Sequence, residues 1–162
     1  MNDTAADRRA ANDKRVADDV QKFGCHVISV FDHEEKHPFF TYSIGIYESS
    51  KAPEAIVVGL KASLGSYMVN EYNRRVRAGE VFRRGILYEG FLEGFAVYVE
   101  PAKPAVVAEY SFGCDRYYKG AKYPTVQIVW PSTSGVWPWQ ARASDWLRTN
   151  QPMLGRKRPD RE

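Results

Sequence analysis

The stretch from Pro38 to Leu60 most constrains what this chain can fold into. Apolar side chains recur at every second position over Phe40–Ile46, the spacing that places them on one face of a strand. Thr41, Ser43 and Gly45 occupy the alternate positions, so the other face carries only small groups. We therefore expect a helix, a second sheet or a ligand to approach this strand closely on its small-residue side.

A second strand follows the first after a turn-like linker. The run Ala55–Leu60 is apolar on both faces, which predicts a strand in the middle of a sheet. Helical spacing of apolar residues predicts helices over about residues 12–23 and 64–78, and shorter helices are expected after Pro104 and within residues 139–150, with Trp146 and Leu147 inward. Strand patterns cover residues 25–31, 85–93, 95–100 and 125–130.

These elements predict an α+β fold, a mostly antiparallel five- or six-stranded sheet with two main helices packed on one face. With 162 residues, a single domain is expected over residues 12–154, between a frayed segment at 1–11 and a charged disordered tail at 155–162. No apolar run approaches the roughly 20 residues that span a bilayer, and the N-terminus lacks the apolar core of a signal peptide. We therefore expect a cytoplasmic protein without a membrane association.

Three histidines and a cysteine lie in patterns that resemble catalytic or metal sites. The segment 33–37 fits H-E-x-x-H, but Pro38 disfavours helix at His37, so we predict a charged hairpin loop and no metal or cofactor. Cys25 and His26 are adjacent in a strand and point to opposite faces, so His26 cannot easily activate the thiol. We predict that Cys25 and Cys114 are structural free thiols.

A tryptophan- and proline-rich loop is the strongest candidate for a recognition surface. Trp130, Trp137 and Trp139 lie within ten residues that also contain Pro131 and Pro138. Large aromatic side chains on a stiff loop are typical of binding surfaces. We predict that Trp130 is a buried anchor and Trp137 an exposed contact, and we leave Trp139 open between these roles.

Polar residues near the central strands are the other candidates. Tyr42, Ser43, Glu54 and Gln127 would line a binding cleft if they converge, and such a cleft could also serve a hydrolase. Glu54 follows Pro53 at the entrance of a buried strand, where a carboxylate is either solvated or tied to a basic group. The sequence shows no convincing pair of nucleophile and base.

The basic residues form two groups. One group begins at the end of the second long predicted helix and continues to Arg84, the other lies in the tail, and the net charge is only +3. Arg74, Arg75 and Arg77, with the loop Cys114–Lys119, would be the elements of a nucleic-acid site. We interpret them as a solvated face and a surface loop, and expect at most weak binding to nucleic acid.

Several motifs resemble those of a bacterial family known as domain of unknown function 4262. The resemblance is carried by Tyr42-Ser43-Ile44-Gly45-Ile46, Pro53-Glu54, Gly59-Leu60, Asn70, Gly79, Gln127-Ile128-Val129-Trp130-Pro131, Gly135, Pro138-Trp139 and Gln151-Pro152. It covers about residues 24–154. Ser132 stands where an Asp is common in the family, so no role of that Asp transfers here. The resemblance implies a small intracellular α+β domain and implies no activity, cofactor or catalytic residue.

The sequence favours a non-enzymatic intracellular domain that recognises a protein partner through the tryptophan-proline loop, in the manner of an immunity or adaptor protein. The comparison with immunity and adaptor proteins rests only on the organisation of the chain as a small single domain. A hydrolase with a cleft near Tyr42, Glu54 and Gln127 is the first alternative, and a weak nucleic-acid binder is the second. We expect a monomer or a homodimer.

Overall fold

A computed structural model describes residues 4–34 and 38–156, whose six strands form one mixed sheet in the spatial order β1-β2-β3-β6-β5-β4. The strands are β1 (His26–Val30), β2 (Phe40–Ile44), β3 (Glu54–Val58), β4 (Leu87–Leu92), β5 (Phe95–Pro101) and β6 (Thr125–Val129). The helices are α1 (Ala5–Phe23), α2 (Ile46–Ser50), α3 (Ala62–Arg77), α4 (Pro104–Val107), α5 (Phe112–Tyr117) and α6 (Asp145–Asn150). Neighbouring strands are antiparallel except β3 and β6, which are parallel. The predicted α+β class and the mostly antiparallel sheet are confirmed.

The two strands predicted from the central stretch lie side by side in the sheet. Every residue of β2 and of β3 is buried, and β3 lies between β2 and β6, as its two apolar faces predict. Strand β2 is shorter than its alternating pattern over residues 40–46 predicts, because it ends at Ile44. Gly45 then adopts a left-handed φ of 99° and begins α2, where we expected extended chain and a linker. Alternation could not reveal this turn, since Ile46 is buried in either conformation.

The two long helices pack on opposite faces of the sheet, whereas we predicted that they share one face. In α3, a Cβ on Gly65 would lie 2.9 Å from Cβ of Thr41, so this helix approaches the small-residue side of β2. Val16 and Val20 of α1 pack in a separate cluster with Ile44 and other apolar residues of the opposite side. Both faces of β2 carry uncharged side chains, so a helix can pack on either face. The sequence pattern therefore did not show whether helices cover one face of the sheet or both.

Three local predictions also need correction. Helix α1 begins at Ala5 rather than near residue 12, because Thr4 and Asp7 form a capping box that starts it in the segment we expected to be frayed. The expected loop after Cys114 contains part of α5. Trp146 points outward and is 61% exposed, while Leu147 is buried as predicted.

Gly45 offers a direct test of how closely α1 packs on the central strands. A Cβ at Gly45 would lie 2.7 Å from Cγ1 of Val20 and closer still to Cγ2, whereas a Cβ at Gly79 would meet no atom within 4 Å. The two glycines have nearly equal φ angles, 99° and 98°. Gly45→Val should therefore cost roughly 1–3 kcal/mol of unfolding free energy beyond the cost of Gly79→Val, because only the first overpacks the core. Urea titrations of both variants measure the difference, and equal losses would contradict the packing described here.

Candidate functional site

The Glu54 carboxylate lies at the first residue of β3 and is almost completely buried, at 1% exposure. It accepts hydrogen bonds from the backbone N–H groups of Gly45 (3.2 Å), Ile46 (3.0 Å) and Tyr47 (3.0 Å). These are the first amides of α2, which have no acceptor inside the helix. A negative charge at this end of a helix is also favoured by the helix dipole. Glu54 therefore acts as the N-terminal cap of α2 from the first residue of the strand that follows this helix.

Two hydroxyl groups complete the surroundings of this carboxylate. Ser43 Oγ donates to Glu54 Oε1 at 2.8 Å and accepts from the Ala55 N–H at 2.9 Å, while the Tyr118 hydroxyl donates to Glu54 Oε2. Burial raises the pKa of the Glu54 carboxyl, and the donors from Tyr118, Tyr47, Ser43 and Ile46 oppose that increase. The carboxylate thus has five donors and occupies a closed polar cluster.

Tyr42 and Cys114 extend this buried cluster toward α5. The Tyr42 hydroxyl accepts from the Gly113 N–H at 3.0 Å, and burial raises its pKa to about 12. Cys114 Sγ donates to the Ser43 carbonyl at 3.0 Å, and burial raises the pKa of its thiol as well. A neutral phenol and a neutral thiol are poor nucleophiles at ordinary pH. These contacts join β2, β3, α2 and α5, and they account for Tyr42, Ser43 and Glu54 as structural groups.

Gln127 and Trp130 lie on β6 or next to it and hold the C-terminal segment. Gln127 Nε2 donates to the Pro152 carbonyl at 2.9 Å, and its Oε1 accepts from the Leu154 N–H at 2.8 Å. The Gln151 side chain bonds the N–H (2.9 Å) and the carbonyl (2.7 Å) of Trp130. Gln127 and Glu54 therefore have separate sets of hydrogen-bond partners. Gln127 holds the C-terminal segment against β6 and does not belong to the Glu54 cluster.

Trp137 and Trp139 form an ordered pair of rings together with Tyr98 of β5. The two indoles stack at a centroid distance of 5.2 Å and an interplanar angle of 8°. Tyr98 lies 4.7 Å from Trp137 and 5.6 Å from Trp139. Both indoles are partly exposed. We call these three residues the aromatic platform. Trp137, predicted as an exposed contact, and Trp139, whose role the sequence left open, are both partly exposed, whereas Tyr98 is buried.

The loop that carries the aromatic platform is held by polar contacts on its inner side. Pro138 is buried between the two tryptophans, and the Trp137 N–H donates to Gln140 Oε1 at 3.0 Å. The Arg148 guanidinium of α6 donates to the carbonyls of Pro138 (3.4 Å) and Gln140 (2.8 Å). Proline geometry and these contacts fix the loop in one conformation, so the rings are preorganised.

Sequence reasoning missed Tyr98, Tyr118 and Arg148. Tyr98 lies in the strand predicted over residues 95–100, and alternation places it on the face opposite Val97 and Val99, where it packs against the two indoles and is only 7% exposed. An aromatic residue on the outer face of a strand is the signal that could have identified it. The roles of Tyr118 and Arg148 depend on contacts 64 and 10 residues away, to Glu54 and Pro138, which no local pattern predicts.

The three arginines of the possible nucleic-acid site are engaged within the protein. Arg74 pairs with Glu71 at 2.7 Å and Arg75 with Glu80 at 2.8 Å, while Arg77 donates to the Phe23 carbonyl. Their charges are thus partly neutralised or used for helix capping. The geometry gives no support to a basic groove at this end of α3.

The structure describes both cysteines but only part of the segment 33–37. Cys25 and Cys114 are buried free thiols, in agreement with the prediction. His33 and Glu34 follow β1, whereas residues 35–37 lie outside the described part of the chain. Within residues 4–34 and 38–156, no group of three or more His, Cys, Asp or Glu could hold a metal ion, and no helix has the length and apolar character to cross a membrane.

A recess of about 840 Å³ lies between α3 and the β4–β5 hairpin. Its walls are formed by Leu64, Tyr67 and residues 89–96. None of the seven residues predicted for a site from the sequence lines it. Its polar side chains are Tyr67, Glu89 and Glu93, so the recess is separate from the Glu54 cluster and from the aromatic platform.

Comparison with known proteins gives one match. The family model DUF4262, described as a domain of unknown function, matches residues 19–144. No curated protein and no solved structure matches the chain. The matched range includes β1 to β6, the Glu54 cluster and the aromatic platform.

Proposed function

The chain belongs to the DUF4262 family of domains of unknown function, and we propose that it is a non-enzymatic protein-binding domain whose contact surface is formed by the partly exposed indoles of the aromatic platform, Trp137 and Trp139. The observation that carries this proposal is the parallel stacking of Trp137 and Trp139, 5.2 Å apart and partly exposed, beside Tyr98. We further propose that the protein works in the cytoplasm, as an immunity or adaptor protein does.

The rigidity of the platform supports binding rather than a purely structural role. Binding loses free energy when loops and side chains must be ordered, and this loop is already held by Pro138, Gln140 and Arg148. Tryptophan and tyrosine are the residue types most often found at the centre of protein interfaces. Leu87, which pairs with Tyr98 across β4 and β5, is exposed and extends the apolar surface.

The hydrolase alternative receives less support from the same geometry. A general base needs a lone pair directed at a substrate, but all five contacts of the Glu54 carboxylate are to donors of the protein itself. Ser43 Oγ donates to this carboxylate, yet the cluster is buried and holds α2 in place. We therefore assign protein binding to the partly exposed indoles of Trp137 and Trp139, and a stabilising role to the buried cluster around Glu54.

Replacing Trp137 with alanine should weaken partner binding by about 2 kcal/mol or more, as expected for an interface hot spot, while folding stays nearly intact. Affinity enrichment from an extract of the source cells, with quantitative mass spectrometry, compares the wild-type protein with Trp137→Ala. Trp146→Ala serves as the matched control, because Trp146 is exposed but lies outside the platform. A protein enriched by the wild type and the control but lost with Trp137→Ala supports the proposal. Equal enrichment by all three proteins would contradict it.

A further inference from the structure

The two edges of the sheet differ in how well they are protected against pairing with another strand. At one edge, β4 contains Gly90 with a φ of 93°, an exposed Glu89 and a register irregularity between Tyr88 and Leu92. Bulges and charges of this kind prevent edge-to-edge pairing. At the other edge, β1 has the sequence HVISV, with no proline, no carboxylate, no lysine and a continuous five-residue register with β2. The edge formed by β1 lacks the usual protection.

The hydrogen-bonding direction of each β1 residue follows from its neighbours. The Phe39 carbonyl accepts from the Gly59 N–H, so the peptide groups of residue 39 face β3. In antiparallel strands this direction alternates, so residues 40, 42 and 44 face β1 and pair there with residues 30, 28 and 26. The peptide groups of Val27 and Ser29 therefore point away from the sheet. Within the described ranges 4–34 and 38–156, no backbone hydrogen bond is formed to these outward groups.

Two aromatic residues extend this edge as an exposed surface. Phe31, one residue beyond β1, is 58% exposed, and Phe39 is 52% exposed. Their rings contact each other edge to face at 6.1 Å. Large apolar side chains beside an unpaired strand are typical of an interface.

We propose that β1 pairs with β1 of a second copy of this chain, which extends the sheet across an antiparallel homodimer with its twofold axis at Ser29. This proposal goes beyond the protein-binding function assigned to the aromatic platform, because it concerns the opposite edge of the sheet and a different partner.

The side chains that this register brings together are compatible with each other. Phe31 lies opposite Val27 of the second copy, and Val30 lies opposite Ile28 of the second copy. Aromatic and β-branched residues directly across from each other stabilise antiparallel pairs. Asp32 lies opposite His26 of the second copy, whose Nδ1 contacts Asp19 Oδ2 of its own chain at 2.7 Å, so no two like-charged residues stand directly opposite each other in the paired strands. Because the arrangement is symmetric, each contact occurs twice, as a closed twofold dimer requires.

The position of Ser29 on the twofold axis provides a sharp test. Sedimentation velocity should show that the wild-type protein changes from monomer to dimer between about 1 and 500 µM, a range typical of modest affinity. Ser29→Lys and Ser29→Glu each place like charges opposite one another, so each should raise the dimer dissociation constant about tenfold or more. An equimolar mixture of the two variants should restore the dimer, because opposite charges then meet at the axis. Restoration also shows that both variants are folded.

The control is Ser134→Lys, which adds the same charge at an exposed serine in the turn after β6. It should dimerise like the wild type. A wild-type protein that stays monomeric over the whole range would overturn the proposal, and this outcome would leave the edge to an extended segment of another protein. A dimer that Ser29→Lys does not weaken, or a mixture that does not restore it, would also overturn the β1 pairing. None of these outcomes changes the expectation for Trp137→Ala.

Discussion

Replacing Trp130 with alanine is expected to lower the free energy of unfolding by about 3–5 kcal/mol, the range of large core truncations. The Trp130 side chain is only 4% exposed and packs in the cluster formed by α3 and the sheet. Its indole N–H donates to the Val58 carbonyl at 2.8 Å. A Cβ on Gly59 would lie 2.9 Å from Trp130 Cζ2, so the ring fills the space directly against this backbone. Alanine would leave both a cavity and a carbonyl without its donor.

Trp146→Ala is the matched control for this measurement. The two indoles are neighbours, with a centroid distance of 6.4 Å, but Trp146 is 61% exposed. Its removal should change the unfolding free energy by no more than about 0.5 kcal/mol, as is usual for surface positions. Urea titrations monitored by circular dichroism avoid the loss of tryptophan fluorescence signal in the variants. Equal effects of the two substitutions would show that Trp130 is not the anchor of this core.

Replacing Glu54 with alanine should lower the free energy of unfolding by at least about 3 kcal/mol, because several buried donors would lose their acceptor, and each buried donor left unsatisfied costs about 1–3 kcal/mol unless water or relaxation compensates it. The affected donors are the amides at the start of α2 and the hydroxyls of Ser43 and Tyr118. Glu54→Gln should lower the free energy of unfolding by less than Glu54→Ala, because the amide oxygen can still accept hydrogen bonds. It should still be destabilising, because the amide NH₂ group replaces a carboxylate oxygen that accepted hydrogen bonds from buried donors. Thermal and urea unfolding of both variants measure these losses.

The Glu54 result also separates a structural carboxylate from a catalytic one. Catalytic groups are often held in unfavourable surroundings, so that their removal leaves stability unchanged or raises it. Glu93→Ala, at an exposed turn between β4 and β5, controls for the loss of one negative charge and should be nearly neutral. If Glu54→Ala is as stable as the wild type, the capping role assigned to Glu54 is wrong, and the hydrolase alternative regains support.

The sheet could be predicted from the sequence because its strands carry strong patterns. The β3 run from residue 55 is apolar on both faces and could only be a central strand, and the alternation over residues 40–44 marks β2 in the same way. The end of β2 could not be predicted, because the turn at Gly45 depends on a contact with the side chain of Glu54, the first residue of β3, which no local pattern around Gly45 reveals. The same limit applies to the faces that α1 and α3 cover, since each helix has an apolar stripe that fits either side.

The candidate site was predicted in part. The buried position of Trp130 was predicted from the strand that leads into it, whereas the stacking of Trp137 on Trp139 was not predicted. Tyr98, the third ring of the aromatic platform, lies about 40 residues earlier in the chain, and only the pairing of β5 with β6 brings it near the loop. The separation of Gln127 from the Glu54 cluster likewise depends on the path of the C-terminal segment over the sheet.

Oxidative footprinting of the tryptophan side chains, with and without a partner recovered by affinity enrichment, tests the aromatic platform most directly. If the platform is the contact surface, Trp137 and Trp139 should become protected in the complex, while the exposed Trp146 keeps its reactivity as an internal control. Trp130 should stay unreactive in both states because it is buried. Unchanged reactivity of Trp137 and Trp139 in a complex that is fully formed would contradict the assignment of protein binding to this surface.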